Sequence, residues 1–450
     1  MPAWLYSFLT EYRIELWTVA VAVVSAAACA ILGCFLVLRR MSLMGDAISH
    51  SVLAGVAGAY LLTGQLSAGP MLAGAVAVGL LTAALTQTLH RFGRVPEDSS
   101  MGVVFTSLFA LGVVVVSGVN VHLDTDCVLF GKLEFVAWHT VPAFGTYVPF
   151  AVVSLLPAFG LTLAFVLFLW KELKIASFDP LLATAMGVSA GLIHYLLMSM
   201  VALVTVASLE AVGAIVVVAM LIVPAAAAHL LTDRLGWMVG LAVVIGVVSA
   251  VAGWYLARWL NTSAAGMMAV VAGGQFTAAV FLAPRHGLVS RWVANARLAL
   301  RIACEDIVGI IYRREERQAA GEDATVRPAA STLADCLAAR GDGPIARLAV
   351  LLLKRRELLL VAPGGQVALT DRGRRLGRSL VRSHRLWEAY LDQNFDLPAD
   401  HLHEPAERIE HFIGPELQEQ LAEALRSPER DPHGSTIPPS SSEPTAARSG

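Results

Sequence analysis

Histidines and carboxylates set four residues apart recur at two places in this chain. Asp46 and His50 form one pair inside "MGDAISH"; His384 with Glu388 and His403 with Glu407 form two more, and Glu410 and His411 extend the last pair by three and four residues. In a helix, residues four apart lie one turn from each other on one face. Each pair therefore presents an imidazole and a carboxylate to the same region. Such nitrogen and oxygen donors suit Mn, Fe or Zn ions better than Mg or Ca, which favour all-oxygen shells. Thiolates are missing from both clusters, which argues against a structural zinc finger and for manganese or ferrous iron. Glu and His at helical spacing also describe ordinary solvated surface; their clustering weighs against it. No nucleophile and base pair reads as catalytic, and the sequence holds no GxxxxGK[ST] phosphate loop, so any ATP hydrolysis belongs to a separate chain.

The elements that must hold these residues are of two kinds. Of 450 residues 56% are hydrophobic and 15% charged, and the mean hydropathy of +0.65 calls for lipid around most of the chain. A net charge of -2 steers neither nucleic acid nor an acidic substrate. Five cysteines, Cys29, Cys34, Cys127, Cys304 and Cys336, have no CxxC spacing, so disulfides are not expected. Apolar stretches long enough for a bilayer predict about nine transmembrane helices at 16–38, 46–64, 69–90, 100–119, 145–170, 190–208, 211–231, 237–257 and 264–283. Basic residues fall on every second connection (Arg39 and Arg40, Arg91 and Arg94, Lys171 and Lys174, Arg234, Arg285 and Arg291), which places the N-terminus outside and everything after Ala283 in the cytosol. Met1 to Tyr12 lacks a basic n-region and cleavage site, so the first apolar stretch is expected to be retained. The outside connection 119–141, with His122, Asp124, Asp126 and Glu134, is a candidate receiver for an external partner.

Burying Asp46 or His50 in lipid costs about a few kcal/mol, so an intramembrane pair is by default a pathway site. The other reading sets both at the interface, with Asp46 as a helix N-cap. Glu97 and Asp98 read as the capped start of the fourth span. A short amphipathic helix is expected after Asp179 and Pro180, within "KELKIASFDPLLATAMG", as a docking element for a motor subunit.

Past Arg285 charged residues become frequent. "CEDIVGIIYRREER" reads as a helix, 321–331 as a loop, 332–339 and 344–356 as helices, and 357–370 as a hairpin about Pro363, Gly364 and Gly365. That order describes a winged helix over 293–375, followed at 376–426 by a further helical domain that carries the histidine and carboxylate pairs, and by a disordered tail rich in Pro, Ser and Thr at 427–450. "GPIARLAVLLLKRREL" is largely aliphatic before Lys354, where a helix that reads bases needs Arg, Lys, Gln, Asn, Ser or Thr, so DNA stays an open partner. Arg347, Lys354, Arg355, Arg356 and Arg372 can hold phosphates without reading sequence; equally, the helix is buried against the dimerisation helices or the membrane domain.

Two resemblances sharpen this. "LRRMSLMGDAISHSVLAG", "PEDSSMGVVFTSLFALG", "VLFGKL", "SFDPLLATAMG" and "LEAVGAIVVVAMLIVPAAAAHLLTDR", in that order, resemble permease subunits of the manganese, zinc and iron ATP-binding-cassette importers over residues 1–290. The resemblance implies a translocation-path metal site at Asp46 and His50 and a coupling helix from Asp179 and Pro180 through Leu181 and Ala183 to Gly187. It also implies a homodimeric permease, two ATP-binding subunits and an extracytoplasmic metal-binding protein in a bacterial cytoplasmic membrane. "LTDRGRRLGRSLVRSHRLWEAYL", "LHEPAERIEHFI" and "PHGSTIP" resemble the metal-binding and dimerisation domain of the diphtheria-toxin-repressor family. There His384, Glu388 and His403 would form one part of the metal site and Glu407, Glu410 and His411 the other, with Asp306 tying in the first cytosolic helix. Gly309 stands where manganese-type members can carry another acidic ligand. The expected protein is thus a metal permease fused to a metalloregulator-like domain that feeds back on transport. A membrane-tethered or proteolytically released repressor of metal-uptake genes is the second reading, and a metal-independent assembly module the third.

Overall fold

Nine apolar stretches become nine long helices, and the computed structural model describes residues 3–41, 43–64, 68–119, 133–143, 146–319, 332, 343–362, 365–395, 397–398 and 401–440. The chain divides into two units, Met1–Arg291 and Trp292–Gly450. The first contains α1 (Ala3–Leu38), α2 (Met44–Thr63), α3 (Ala68–Gly93), α4 (Glu97–Val119), a hairpin of β1 (Thr140–Ala143) and β2 (Thr146–Pro149), α5 (Phe150–Phe168), the short α6 (Trp170–Phe178) and α7 (Pro180–Ala185), then α8 (Ala190–Val212), α9 (Ala214–Leu231), α10 (Leu235–Leu260) and α11 (Ala264–Leu282).

Eight of the long helices among the described residues are apolar enough to cross a bilayer on length and hydropathy alone. The remaining one is α2, whose 20 residues include Asp46, Ser49, His50 and Ser51. Polar groups that would be costly against lipid are here turned inward: Ser49 and Ser51 are buried, and Thr82 of α3 donates to Ser51 Oγ at 2.7 Å. At the centre stands α1, with Leu32, Phe35 and Leu36 almost inaccessible, packed on α8, α9 and α10. Its most apolar window is 78% buried within the bundle, against 17% for α4 and 22% for α5, so α1 is a core helix and the latter two turn most of their surface outward to lipid.

Small residues allow the close crossings. A Cβ on Gly33 would lie 1.8 Å from the Leu221 carbonyl oxygen, and one on Gly55 would lie 2.3 Å from that of Gly74, so α1 meets α9, and α2 meets α3, backbone to backbone. Two expected boundaries shift for local reasons. The fifth span starts at Phe150 rather than near 145, because Thr140–Ala143 and Thr146–Pro149 pair as antiparallel strands. The seventh starts at Ala214, because Gly213, at φ +82°, breaks the chain between α8 and α9. Of the outside connection, His122, Asp124 and Asp126 lie outside the described residues.

The second unit is built from α12 (Leu288–Ala319), α13 (Pro344–Arg355), the antiparallel hairpin β3 (Leu359–Val361) and β4 (Val367–Leu369), α14 (Asp371–Asn394), α15 (His403–Ile409), a 3-10 turn Glu410–Phe412 and α16 (Pro415–Ala424). The helix expected over 304–317 is the C-terminal half of the 32-residue α12. Ile307, Val308 and Ile311 of α12 pack with Ala349, Val350 and Leu353 of α13 and with Leu359, Val367 and Leu369 of the hairpin, giving a small core of its own. The expected loop 321–331 and most of the helix 332–339 lie outside the described residues; Thr332 bridges Gln366. The expected disorder over 427–450 does not describe 427–440. Ile437 is buried beside Leu386, Ile413 and Leu421, and Arg385 donates to the Thr436 carbonyl and pairs with Asp431 at 3.5 Å. An apolar anchor and an ion pair hold this stretch where Pro and Ser content alone predicted none. Residues 441–450 lie outside the described set.

Candidate metal centres

In the membrane unit, α2 begins at Met44, so Asp46 sits in its first turn and not at the N-cap, which is Leu43 and makes no side-chain cap bond. Asp46 Oδ1 and His50 Nε2 are 3.5 Å apart, and both side chains are 41% exposed. Two ligands bound at about 2.1 Å in a tetrahedral shell are separated by about 3.4 Å, so the pair already has the spacing of a metal-binding edge. It opens on a cavity of about 360 Å3 whose other walls are Ala214, Ile215, Val218, Ala219, Ile222 and Val223 of α9. Phe105 and Phe109 of α4 lie against the His50 ring, with centroids 6.0 and 6.1 Å away. The one carboxylate and one imidazole are therefore the polar atoms of an otherwise apolar chamber.

Farther along, the Asp179 carboxylate accepts from the Leu181 and Leu182 amides at 3.0 and 2.9 Å, Pro180 occupies the first position of α7, and Gly187 at φ +85° follows it. Ala183 is buried while Leu181, Leu182 and Met186 are exposed. The segment is a capped, outward-facing apolar peg.

The second unit gathers its donors from four elements, α12, α14, α15 and the 3-10 turn. The Thr370 hydroxyl caps α14 by accepting from Gly373 N at 3.1 Å. The helix then buries a stripe through Gly377, Leu380, Val381, His384 and Glu388. At Gly377 a Cβ would fall 2.7 Å from that of Tyr312, so α14 crosses α12 closely and sets Glu305 and Asp306 beside the loop that follows α15.

Around His384 three atoms converge. His384 Nε2 lies 2.9 Å from His403 Nδ1 and 3.0 Å from Glu388 Oε1, and His403 Nδ1 lies 3.0 Å from Glu388 Oε1. A near-equilateral triangle of that edge matches one face of an octahedron with bonds of about 2.1 Å. Asp306, Glu410 and His411 form the other group, with His411 Nε2 3.0 Å from Asp306 Oδ1. On its far side His411 donates through Nδ1 to Glu305 Oε2 at 2.9 Å, which directs Nε2 to the ligand position. The groups are joined: His384 donates through Nδ1 to Glu410 Oε2 at 2.6 Å, and Arg313 donates to the same oxygen at 3.0 Å.

The electrostatics follow. Burial alone would lower the His411 pKa, but its bonds to Asp306 and Glu305 carry it up to about 9. His384 is likewise raised against burial by Glu388 and Glu410. Burial would raise Glu388, yet His384 and His403 bring it down to about 2. Imidazolium–carboxylate pairs thus occupy the positions where a divalent ion would supply the positive charge, and an incoming metal displaces protons.

Of the residues implied by resemblance, Asp306, His384, Glu388, His403, Glu410 and His411 are brought together in these two groups, and Glu407 is not. Glu407 is exposed on α15, which ends before Glu410; the chain tightens there into a 3-10 turn, so the helical spacing that linked Glu407 to Glu410 and His411 is not kept. Sequence reasoning missed Glu305, whose adjacency to Asp306 in "CED" was the available sign. It also missed His433, whose Nδ1 lies 3.6 Å from Glu388 Oε2 in a turn capped by Asp431. Arg347, Lys354, Arg355, Arg356 and Arg372 are exposed on α13, just after it and at the start of α14; Ile345, Leu348 and Leu351 are exposed on α13 as well, so basic and aliphatic side chains share its open surface.

The fold and these donor groups define a polytopic α-helical membrane protein joined to a second unit whose side chains could hold a metal ion. The ABC 3 transport family matches residues 11–283, and the chain belongs to it. The iron dependent repressor metal binding and dimerisation domain matches residues 370–439. The manganese transport system membrane protein MntD of Bacillus subtilis is 49% identical over 280 residues, covering 62% of this chain and 95% of that protein. The zinc transport system membrane protein TroD of Treponema pallidum is 42% identical, covering 63% of this chain and 77% of that protein. Among solved structures, PsaBC from Streptococcus pneumoniae in complex with Fab is 31% identical with a TM-score of 0.53, covering 64% of this chain and 98% of that one. These relatives account for the membrane unit, and the repressor-domain match accounts for α14 to Ile437.

Proposed function

We propose that the chain is the permease subunit of an ATP-binding-cassette importer for Mn, Fe or Zn, with a cytosolic unit that senses the same class of ion. Relatives named for manganese, zinc and chelated iron transport support the substrate class. The observation that carries the reading is the Asp46–His50 pair at ligand spacing in the apolar chamber against α9. An ion stripped of water there meets two fixed donors, and α9 moving against α2 exposes them to one side at a time. The capped α7, with Leu181 and Met186 outward, is the element on which a separate ATP-binding subunit acts. An extracytoplasmic metal-binding protein delivers the ion, and the permease acts as a homodimer with its second unit in the cytosol, as the basic connections place it.

The donor groups of the second unit fit a divalent transition ion, which there supplies a positive centre in place of protons. His384, Glu388 and His403 hold one ion and Asp306, Glu410 and His411 another, while Glu305 and Arg313 orient them. Filling both groups ties α12, α14 and α15 together, and inhibits transport provided that the transporting state binds metal less tightly. Ile345, Leu348 and Leu351 on the open surface of α13 favour this feedback over sequence-specific repression of genes, since direct readout needs hydrogen-bonding side chains in such places.

Uptake of each metal by vesicles containing the assembled transporter tests the pathway. The double substitution Asp46→Asn and His50→Ala abolishes uptake while assembly with the ATP-binding subunit persists; normal uptake by it would remove the assignment.

A further inference from the structure

The membrane unit holds a second cavity, of about 500 Å3, which the metal pathway does not use. Its walls come from the ends of α1, α3 and α8 and from α6 and α7. Arg39, Arg40, Gln87, His90, Ser177 and His194 supply the polar lining, and no carboxylate is among the described lining residues. Two arginines and two histidines thus face one space.

The hydrogen bonds fix which atoms are donors. Arg39 Nε donates to Ser177 Oγ at 3.1 Å, and another of its nitrogens lies 3.4 Å from His194 Nδ1. A guanidinium only donates, so Nδ1 accepts and the neutral ring carries its proton on Nε2. That Nε2 is buried and meets no hydrogen-bond partner among the described residues. Ser177, having accepted from Arg39, retains its own O–H to donate. His90 is fixed in the wall by its Nδ1–H donating to the Val95 carbonyl at 2.8 Å. A buried N–H without an acceptor is unfavourable, and the lining is rich in donors. What it lacks is an oxyanion.

The position says which. The cavity lies where Arg39, Arg40, Arg91, Lys171 and Lys174 gather at one end of the bundle. At that level phosphate headgroups begin, and basic pockets between transmembrane helices there hold them. We propose that this cavity binds the phosphate of an anionic phospholipid headgroup, held by Arg39, Arg40 and the Nε2–H of His194. Because Pro180 opens α7 and also lines the cavity, while α1 leads directly into α2, a bound headgroup joins the element that takes up ATPase motion to the helix carrying Asp46 and His50. The binding itself does not rest on the metal-transport reading; that consequence does.

The test is native mass spectrometry of the full-length chain released from nanodiscs of phosphatidylglycerol or of phosphatidylcholine, with and without excess inorganic phosphate. The wild-type chain retains phosphatidylglycerol over phosphatidylcholine, and Arg40→Gln lowers that retention roughly fivefold, as loss of one basic contact predicts. Arg40→Gln combined with His194→Asn lowers it further. Phosphate that displaces the lipid identifies free phosphate as an alternative occupant of the same oxyanion site, whereas resistance to phosphate assigns the site to lipid. Equal retention of the two lipids by the wild-type chain overturns the proposal even if a variant misfolds, and so does unchanged retention in the folded variants. Since no transport is read, failure here leaves the importer reading standing.

Discussion

Replacing Glu410 by Gln removes the one carboxylate that serves both donor groups of the second unit. Glu410 is 3% exposed, accepts from His384 Nδ1 at 2.6 Å and from Arg313 at 3.0 Å, and stands among the donors of the Asp306 and His411 group. Both donors share one oxygen, Oε2, so an amide oxygen placed there keeps both bonds but only as a neutral acceptor. With hydrogen bonds to charged groups contributing about 1.5–3 kcal/mol each and neutral ones about 1 kcal/mol, weakening both costs the metal-free unit about 2 kcal/mol. For metal, the Asp306 and His411 group loses an anionic ligand while the His384 group keeps only a neutral partner for its imidazole, so both affinities fall by about 10- to 100-fold. Calorimetric titration of Mn into the full-length chain reads this, in an Asp46→Asn and His50→Ala background that silences the membrane pair. A fall in one affinity with the other unchanged refutes the shared role of Glu410.

Other outcomes follow from the same geometry. Glu407→Gln leaves metal affinity within about twofold, as expected of an exposed residue, whereas Asp306→Asn lowers it by about tenfold or more; the same titration separates them, and the reverse order contradicts the placement of both residues. The metal-free second unit is most stable between pH 4.5 and 6.5. His411, raised from 6.5 to about 9, contributes stability that is complete below 6.5 and lost as pH rises through 9, and Glu388, lowered from 4.5 to about 2, contributes stability that is complete above 4.5 and lost as pH falls through 2. Amide-exchange protection of α14 in the metal-free chain reports it, and a protection maximum near pH 9 would reverse the sign. Asp179→Ala removes the cap of α7 at a cost of about 1 kcal/mol, which lowers uptake per ATP hydrolysed in the assembled transporter and leaves metal binding to the isolated permease unchanged; an unaltered ratio speaks against α7 as the coupling element.

Much of this was legible because lipid imposes a simple grammar. Among the described residues the nine apolar stretches coincide with long helices, eight of them apolar enough to span, since a backbone in hydrocarbon must satisfy its own hydrogen bonds. What escaped was local: the hairpin before α5 and the break at Gly213 depend on backbone pairing and a positive φ, which hydropathy does not register. In the metal unit, the His384–Glu388 pair followed from helical spacing alone. Glu407, linked to Glu410 and His411 by the same spacing, stands outside both donor groups, because α15 yields to a 3-10 turn at Glu410 and the periodicity ends there. Glu305 and His433 reach the site from 106 residues before His411 and 45 residues after Glu388, through the crossing of α12 and α14 and the turn around Asp431. No spacing rule carries such information. The order of 427–440 was hidden as well, because one buried Ile437 and the partners of Arg385 outweigh an unpromising composition.

Whether one class of ion is held both in the membrane and beyond it is tested most directly by equilibrium dialysis of the purified full-length chain against Mn, Fe and Zn, counting bound metal. Asp46→Asn with His50→Ala is expected to remove one share of that metal, and His384→Ala with His411→Ala the rest, with all four substitutions together leaving none. A wild-type chain that binds none of the three ions, or bound metal that survives all four substitutions, would contradict the account at its root.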